Sequence, residues 1–246
     1  LPGRVNLLLQ YVAKKIFISF KKSEHFFSQR SKLQVSGNPV RSLYIKDAVL
    51  EETPSFFEKG KWLLILGGSQ GADALNHFFI QHYSDITSQG ISIVHLTGEK
   101  LFEKSTNQIR SRYPQIDWTI NEGKKILSGS TQEAHILTLA YTESMDILFK
   151  AVDLVVSRSG ATTLAELVAF QKPAILVPFP FAKDNHQEIN ADEFVTDYPG
   201  IKIKETDLSV EAILSAWNKY GEKDSGSLTF DSSACQAITA YLKESF

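Results

Sequence analysis

Ser157-Arg158-Ser159-Gly160-Ala161-Thr162-Thr163-Leu164-Ala165-Glu166 decides how this chain is read. It follows an apolar run, Leu154-Val155-Val156, of strand character and opens a segment with helical spacing of apolar residues. A small-residue turn between strand and helix leaves backbone N–H groups at the helix start, where an anion is stabilised. Glu166 falls in the second helical turn among small and apolar neighbours, and an ionised carboxylate there wants a partner. The set suits a nucleotide whose diphosphate meets the helix start while Glu166 takes the ribose diol. A purely local reading makes Ser159 the N-cap and turns Glu166 to solvent. Arg158 fits either, neutralising a diphosphate or pairing with a structural acid.

Outward from this stretch, a second glycine turn, Gly67-Gly68-Ser69-Gln70-Gly71, follows another apolar run at 62–66. It lacks the lysine of a phosphate-loop nucleotidase, and its glycine spacing is not the dinucleotide fingerprint. Ser69 raises its interest, because a hydroxyl and adjacent N–H groups can share a phosphate oxygen. The plain alternative is a tight strand–helix turn. Downstream, Pro178-Phe179-Pro180-Phe181 leads to Asp184-Asn185-His186-Gln187 and Asn190. These amides and acceptors are of the kind that read sugar hydroxyls, or else merely cap a helix.

Between the motifs, strand-like and helix-like segments alternate from residue 62 to about 203, which predicts an α/β fold with a parallel sheet. Strands are expected near 62–66, 91–96, 116–118, 135–139, 153–156 and 174–177. Helices are expected near 72–83, 101–110, 142–150, 161–170, 185–194 and 209–220, with a last one at 232–242. Residues 121–133 show no period and read as an irregular insertion. Before the first glycine turn, Val5, Leu8, Leu9 and Val12 have helical spacing, and 15–20 and 33–35 read as strands. Residues 42–60 read as a polar linker.

Composition excludes several classes. The 246 residues are 43% hydrophobic and 22% charged, with a net charge of -2, so nothing draws the chain to nucleic acid. One cysteine, Cys235, rules out an internal disulfide framework and fits a reducing, cytoplasmic compartment. No apolar run is long enough to span a bilayer. The 6 histidines lie singly, without metal-ligand spacing, so no metal is expected. Lys14, Lys15, Lys21 and Lys22 near Leu7, Phe26 and Phe27 read as solvated strand ends or as a contact with anionic lipid. No nucleophile–base pair emerges. The chain starts at Leu1 without a methionine, so its start is expected not to be the natural one.

Four motifs in order, Gly37-Asn38-Pro39-Val40-Arg41, the Gly67 turn, Arg158-Ser159-Gly160-Ala161 with Glu166, and His186-Gln187 with Asn190-Ala191, resemble the MurG family. These are the UDP-N-acetylglucosamine–N-acetylmuramyl-(pentapeptide) pyrophosphoryl-undecaprenol N-acetylglucosamine transferases of bacteria. The resemblance implies a Rossmann-like parallel sheet, the C-terminal domain of a two-domain GT-B type glycosyltransferase with the N-terminal domain mostly absent. Residues 1–41 would be the end of the N-terminal acceptor domain and 42–60 the linker. Residues 61–225 would form the UDP-sugar-binding domain, and 226–246 a helix packing back on the N-terminal part.

The same resemblance places Ser69 and Arg158 near the donor diphosphate, with Arg41 beside the cleft and Glu166 on the ribose. Thr142, in Tyr141-Thr142-Glu143-Ser144-Met145, lies where backbone meets the uracil, although the usual acidic pair is missing. Ala161, His186 and Gln187 would face the N-acetylglucosamine. It implies inverting transfer from UDP-N-acetylglucosamine to a lipid-linked acceptor, without a cofactor, at the cytoplasmic face of the inner membrane. The family's glycine-rich N-terminal loops, with their histidine, have no counterpart here. The chain alone is therefore expected to be incomplete, its N-terminal half supplied upstream or by a separate partner. The alternatives are another UDP-sugar glycolipid transferase and a non-catalytic binding subunit.

Overall fold

The computed structural model describes residues 4–19, 21–40, 57, 60–67, 72–182, 185–221, 238–241 and 243. After a short helix, α1 (Arg4–Leu9), strands β1 (Ile16–Ile18) and β2 (Leu33–Val35) pair in parallel as a small sheet. The main unit then begins with β3 (Lys61–Leu66), α2 (Asp73–Thr87), β4 (Ile91–Leu96) and α3 (Phe102–Arg112). Next come β5 (Thr119–Asn121), β6 (Ile126–Ser130), β7 (His135–Leu139) and α4 (Met145–Ala151). It continues with β8 (Leu154–Ser157), α5 (Ala161–Ala169), β9 (Ala174–Leu176), α6 (His186–Asp197), β10 (Gly200–Lys202) and α7 (Val210–Tyr220).

These strands form one eight-stranded sheet in the order β10-β9-β8-β3-β4-β7-β6-β5. Its six parallel strands, counted along the chain, run third, second, first, fourth, fifth, sixth, the doubly wound Rossmann order. Side chains alternate across it. Leu63, Ile65, Ile93, Leu154 and Val156 face the helices α2, α3 and α7, meeting Leu75, Phe79, Ile109 and Trp217. Leu64, Leu66, Val94, Val155 and Leu176 face α4, α5 and α6, meeting Phe149, Leu164, Leu167 and Phe194. Both faces are covered, so these central strands are almost wholly buried and mostly apolar. Among the described residues no helix is long and apolar enough to cross a membrane.

Two details differ from the sequence reading. The stretch read as an irregular insertion holds a β-hairpin: β5 and β6 pair antiparallel, and β6 extends the sheet antiparallel to β7. Gly129, which masked the pattern, lies under Trp118 and Ile116, where a Cβ would come within 2.6 Å of the Trp118 ring. Close approach, not chain reversal, is this glycine's role. Ile116 and Trp118, expected in a strand, instead pack against the core before β5 begins.

A buried polar network stands behind the sheet. His95 of β4 is fully buried, with Nε2 2.9 Å from Asn76 Oδ1 and Nδ1 2.6 Å from the Tyr83 hydroxyl. Asn76 Nδ2 donates to Thr97 O at 2.9 Å, so its Oδ1 must accept. Nε2 of His95 therefore carries the proton and Nδ1 accepts from Tyr83. Burial lowers the imidazole pKa from 6.5 to about 3 and raises that of the Tyr83 hydroxyl.

The expected linker at 42–60 lies outside the described residues except at Phe57 and Gly60. Of the expected final helix, residues 238–241 and 243 are helical, and the Tyr241 ring meets Phe17 of β1 edge-on at 5.7 Å.

Candidate functional site

Parallel strands bring all their carboxyl ends to one edge, and ligands of such sheets lie in the crevice where the strand order reverses. Here that point falls between β3 and β8, whose last residues Leu66 and Ser157 are register partners. Gly67 and Arg158 are the next residues of each strand, so the two predicted turns leave the sheet as neighbours. Thr142 follows β7 and residues 178–182 follow β9, on the same edge. Gly68, Ser69 and Gly71 of the first turn, and Arg41, lie outside the described residues.

The second turn is built differently from the local reading. Gly160, in an extended conformation, is the N-cap of α5, with no side-chain cap. A Cβ on Gly160 would meet nothing within 4 Å, so open space lies before the helix start. The first backbone N–H groups of α5 have no intrahelical acceptors and favour an anion there. Ser159, fully buried, is not the cap: its hydroxyl donates to Gln187 O at 2.7 Å. Asn190 Nδ2 donates to Ser159 O at 3.1 Å, which ties the turn to α6. Glu166 is half-buried on α5 and Ala161 is exposed at its start.

Arg158, expected near the donor diphosphate, makes its contacts within the chain. Its Nη1 donates to Val177 O at 3.1 Å and to Pro178 O at 3.2 Å, and its Nη2 is paired with Glu205. The guanidinium also sits 5.4 Å from the centre of the Phe179 ring. An acid partner for Arg158 is thus present in the fold itself. Glu205 was missed because it lies 47 residues from Arg158, in a 3-10 turn after β10 with no motif around it.

Gln187 is held from both ends. Its side-chain Oε1 accepts from Phe179 N at 2.9 Å, and its carbonyl accepts from Ser159. Phe179 and Phe181 remain exposed at the rim, their rings 5.7 Å apart. Ahead of α4, Thr142 Oγ1 accepts from Ser144 N at 3.1 Å, closing a tight turn at the β7 end. Ala161, His186 and Asn190 line one wall of a cleft of about 470 Å³. Asn6 and Gln10 of the N-terminal segment, with Ile16 and Ile18 of β1, line the other. The structure thus puts Ala161 and His186 on one cleft wall, ties Gln187 to Ser159, and bonds Arg158 to the segment leaving β9.

Comparison with known proteins bears on the family and the fold. The family described as "Glycosyltransferase family 28 C-terminal domain" matches residues 62–237. A UDP-N-acetylglucosamine–N-acetylmuramyl-(pentapeptide) pyrophosphoryl-undecaprenol N-acetylglucosamine transferase of Desulfotalea psychrophila is 33% identical over 221 residues, covering 87% of this chain and 53% of that protein. The Bacillus subtilis protein of the same name is 30% identical over 221 residues, covering 89% and 56%. The chain thus spans about half the length of the curated relatives it matches. Among solved structures, Acinetobacter baumannii MurG shares the fold with a TM-score of 0.64 at 20% identity, covering 98% of this chain and 64% of that one. Matched from the first buried strand to beyond α7, the chain belongs to the glycosyltransferase family 28 C-terminal domain family.

Proposed function

We propose that this chain is the donor-binding part of a transferase that moves N-acetylglucosamine from UDP-N-acetylglucosamine to an undecaprenyl-pyrophosphoryl-N-acetylmuramyl-pentapeptide acceptor in peptidoglycan synthesis. The observation that carries it is the juxtaposition of two glycine turns at the ends of β3 and β8, in a chain whose relatives bear that name. The open start of α5 and the Gly67 turn with Ser69 take the diphosphate, where N–H groups and a hydroxyl replace its hydration. Glu166, one and a half turns into α5, takes the ribose hydroxyls. Backbone beside Thr142 meets the uracil. Ala161 N–H, His186 and Gln187 face the sugar, and Arg41 approaches the same cleft. Binding needs no metal or other cofactor.

The lipid-linked acceptor enters from the N-terminal wall of the cleft. Val5, Leu8 and Val12 are exposed there, and the sequence from residue 4 to 32 carries Arg4, Lys14, Lys15, Lys21, Lys22, Arg30 and Lys32 against one acid, Glu24. That combination suits the anionic face of a bilayer and a peripheral attachment. The rest of the acceptor wall comes from an N-terminal half, and aligning two substrates across a cleft is worth roughly 7–11 kcal/mol of a barrier. A radiolabelled transfer assay with the lipid acceptor, with and without that half, tests the reading. Product formed from UDP-N-acetylglucosamine when both halves are present supports it; no product under either condition counts against a transferase.

A further inference from the structure

We infer that Glu205 is a positioning residue for recognition of the donor's sugar, acting through Arg158 on Gln187. The inference rests on the nucleotide-sugar reading above and adds a residue that lies outside every motif behind that reading. Glu205 pairs with Nη2 of Arg158, and the two side chains are 28% and 11% exposed, so the pair is largely shielded from water. A guanidinium holds its donors in one rigid plane, so a carboxylate fixed on one edge sets the direction of the other. The other edge donates to the carbonyls of Val177 and Pro178, where the chain leaves β9. The Phe179 ring packs against the same guanidinium.

The chain of contacts then reaches the cleft. Phe179 N donates to Gln187 Oε1, so the position of this backbone group decides how the carboxamide is rotated. With its oxygen committed there, the amide presents its Nε2 donors in one direction. The main chain of Gln187 is pinned separately by the Ser159 hydroxyl, and Ser159 by Asn190. Loosening Glu205 therefore releases the side chain of Gln187 and leaves its backbone in place. The turn that leads into α5, which takes the diphosphate on this reading, is held independently of Glu205 by the Ser159–Gln187 and Asn190–Ser159 hydrogen bonds. The sugar should feel the change and the nucleotide should not.

Calorimetric titration of UDP and of UDP-N-acetylglucosamine into the wild-type chain, Glu205→Ala and Glu205→Gln separates the possibilities. Glu205→Ala should weaken UDP-N-acetylglucosamine about tenfold, the scale of one well-placed hydrogen bond, with UDP affinity within about twofold of wild type. Glu205→Gln keeps an oxygen for Arg158 and should fall between. Retained UDP affinity also reports that each variant is folded. An equal change for both ligands would place Arg158 on the diphosphate and overturn the inference, as would an unchanged affinity for UDP-N-acetylglucosamine. A wild-type chain that binds neither ligand would overturn the nucleotide-sugar reading itself, and this role with it.

Discussion

Leu66 and Ser157 stand opposite each other as the last residues of β3 and β8 in parallel register. That pairing joins two turns separated by some ninety residues of chain into the rim of one crevice. It also explains why neither turn matches a complete phosphate-binding signature alone. On the proposed reading, each supplies part of the donor set.

Changing Glu166 to Gln should weaken UDP binding by roughly 1–3 kcal/mol, the range for hydrogen bonds to a charged group. The 2′,3′-dideoxy analogue of UDP lacks the hydroxyls in question and should lose far less. Equal losses for the two ligands would show that Glu166 supports α5 instead of reading the ribose.

UDP binding should survive a chelator. On the proposed reading, the unpaired N–H groups at the start of α5 stabilise the diphosphate in place of a cation. Titration with and without chelator checks this, and loss of nearly all affinity on chelation would contradict it.

The buried imidazole of His95 gives the fold a pH dependence of definite sign. Between pH 6.5 and about 3 the unfolded chain takes up a proton at this ring that the folded chain refuses. The unfolded state binds more protons across that window, so stability falls as pH falls, by up to about 1.4 kcal/mol per pH unit. His95→Gln can still accept from Tyr83 and donate to Asn76. Urea midpoints from about pH 7 to about pH 4.5 should fall less steeply for this variant than for wild type. Parallel slopes would rule the ring out as the cause.

Gly129→Ala should destabilise the chain by about 1–3 kcal/mol, because the new methyl group meets the Trp118 ring and Ile116 within contact distance. A lower urea midpoint with an unchanged slope is the expected result. A neutral effect would mean that Trp118 moves aside freely.

How far the sequence could be read follows from the range of the forces involved. The order of strands and helices was legible because both sheet faces are covered, which makes β3, β4 and β8 largely apolar, buried runs between amphipathic helices. The glycine turns were legible because their position after such runs is a local property. The β5–β6 hairpin was not, since its exposed strand lacks apolar residues in alternation and Gly129 mimics a break. Ser159 also misled: its hydroxyl serves α6, an element reached only after the chain has gone through β9. Arg158 could not be assigned because its partner, Glu205, is chosen by the packing of β9 and β10.

The central claim is that a uridine nucleotide binds where β3 and β8 end. An amide-resolved NMR titration with UDP tests it most directly. We expect saturable shifts concentrated at Gly67 and at the start of α5, from Gly160 to Thr163, with β5 and β6 unchanged. Saturable shifts confined to other parts of the chain, or none at all, would contradict the account.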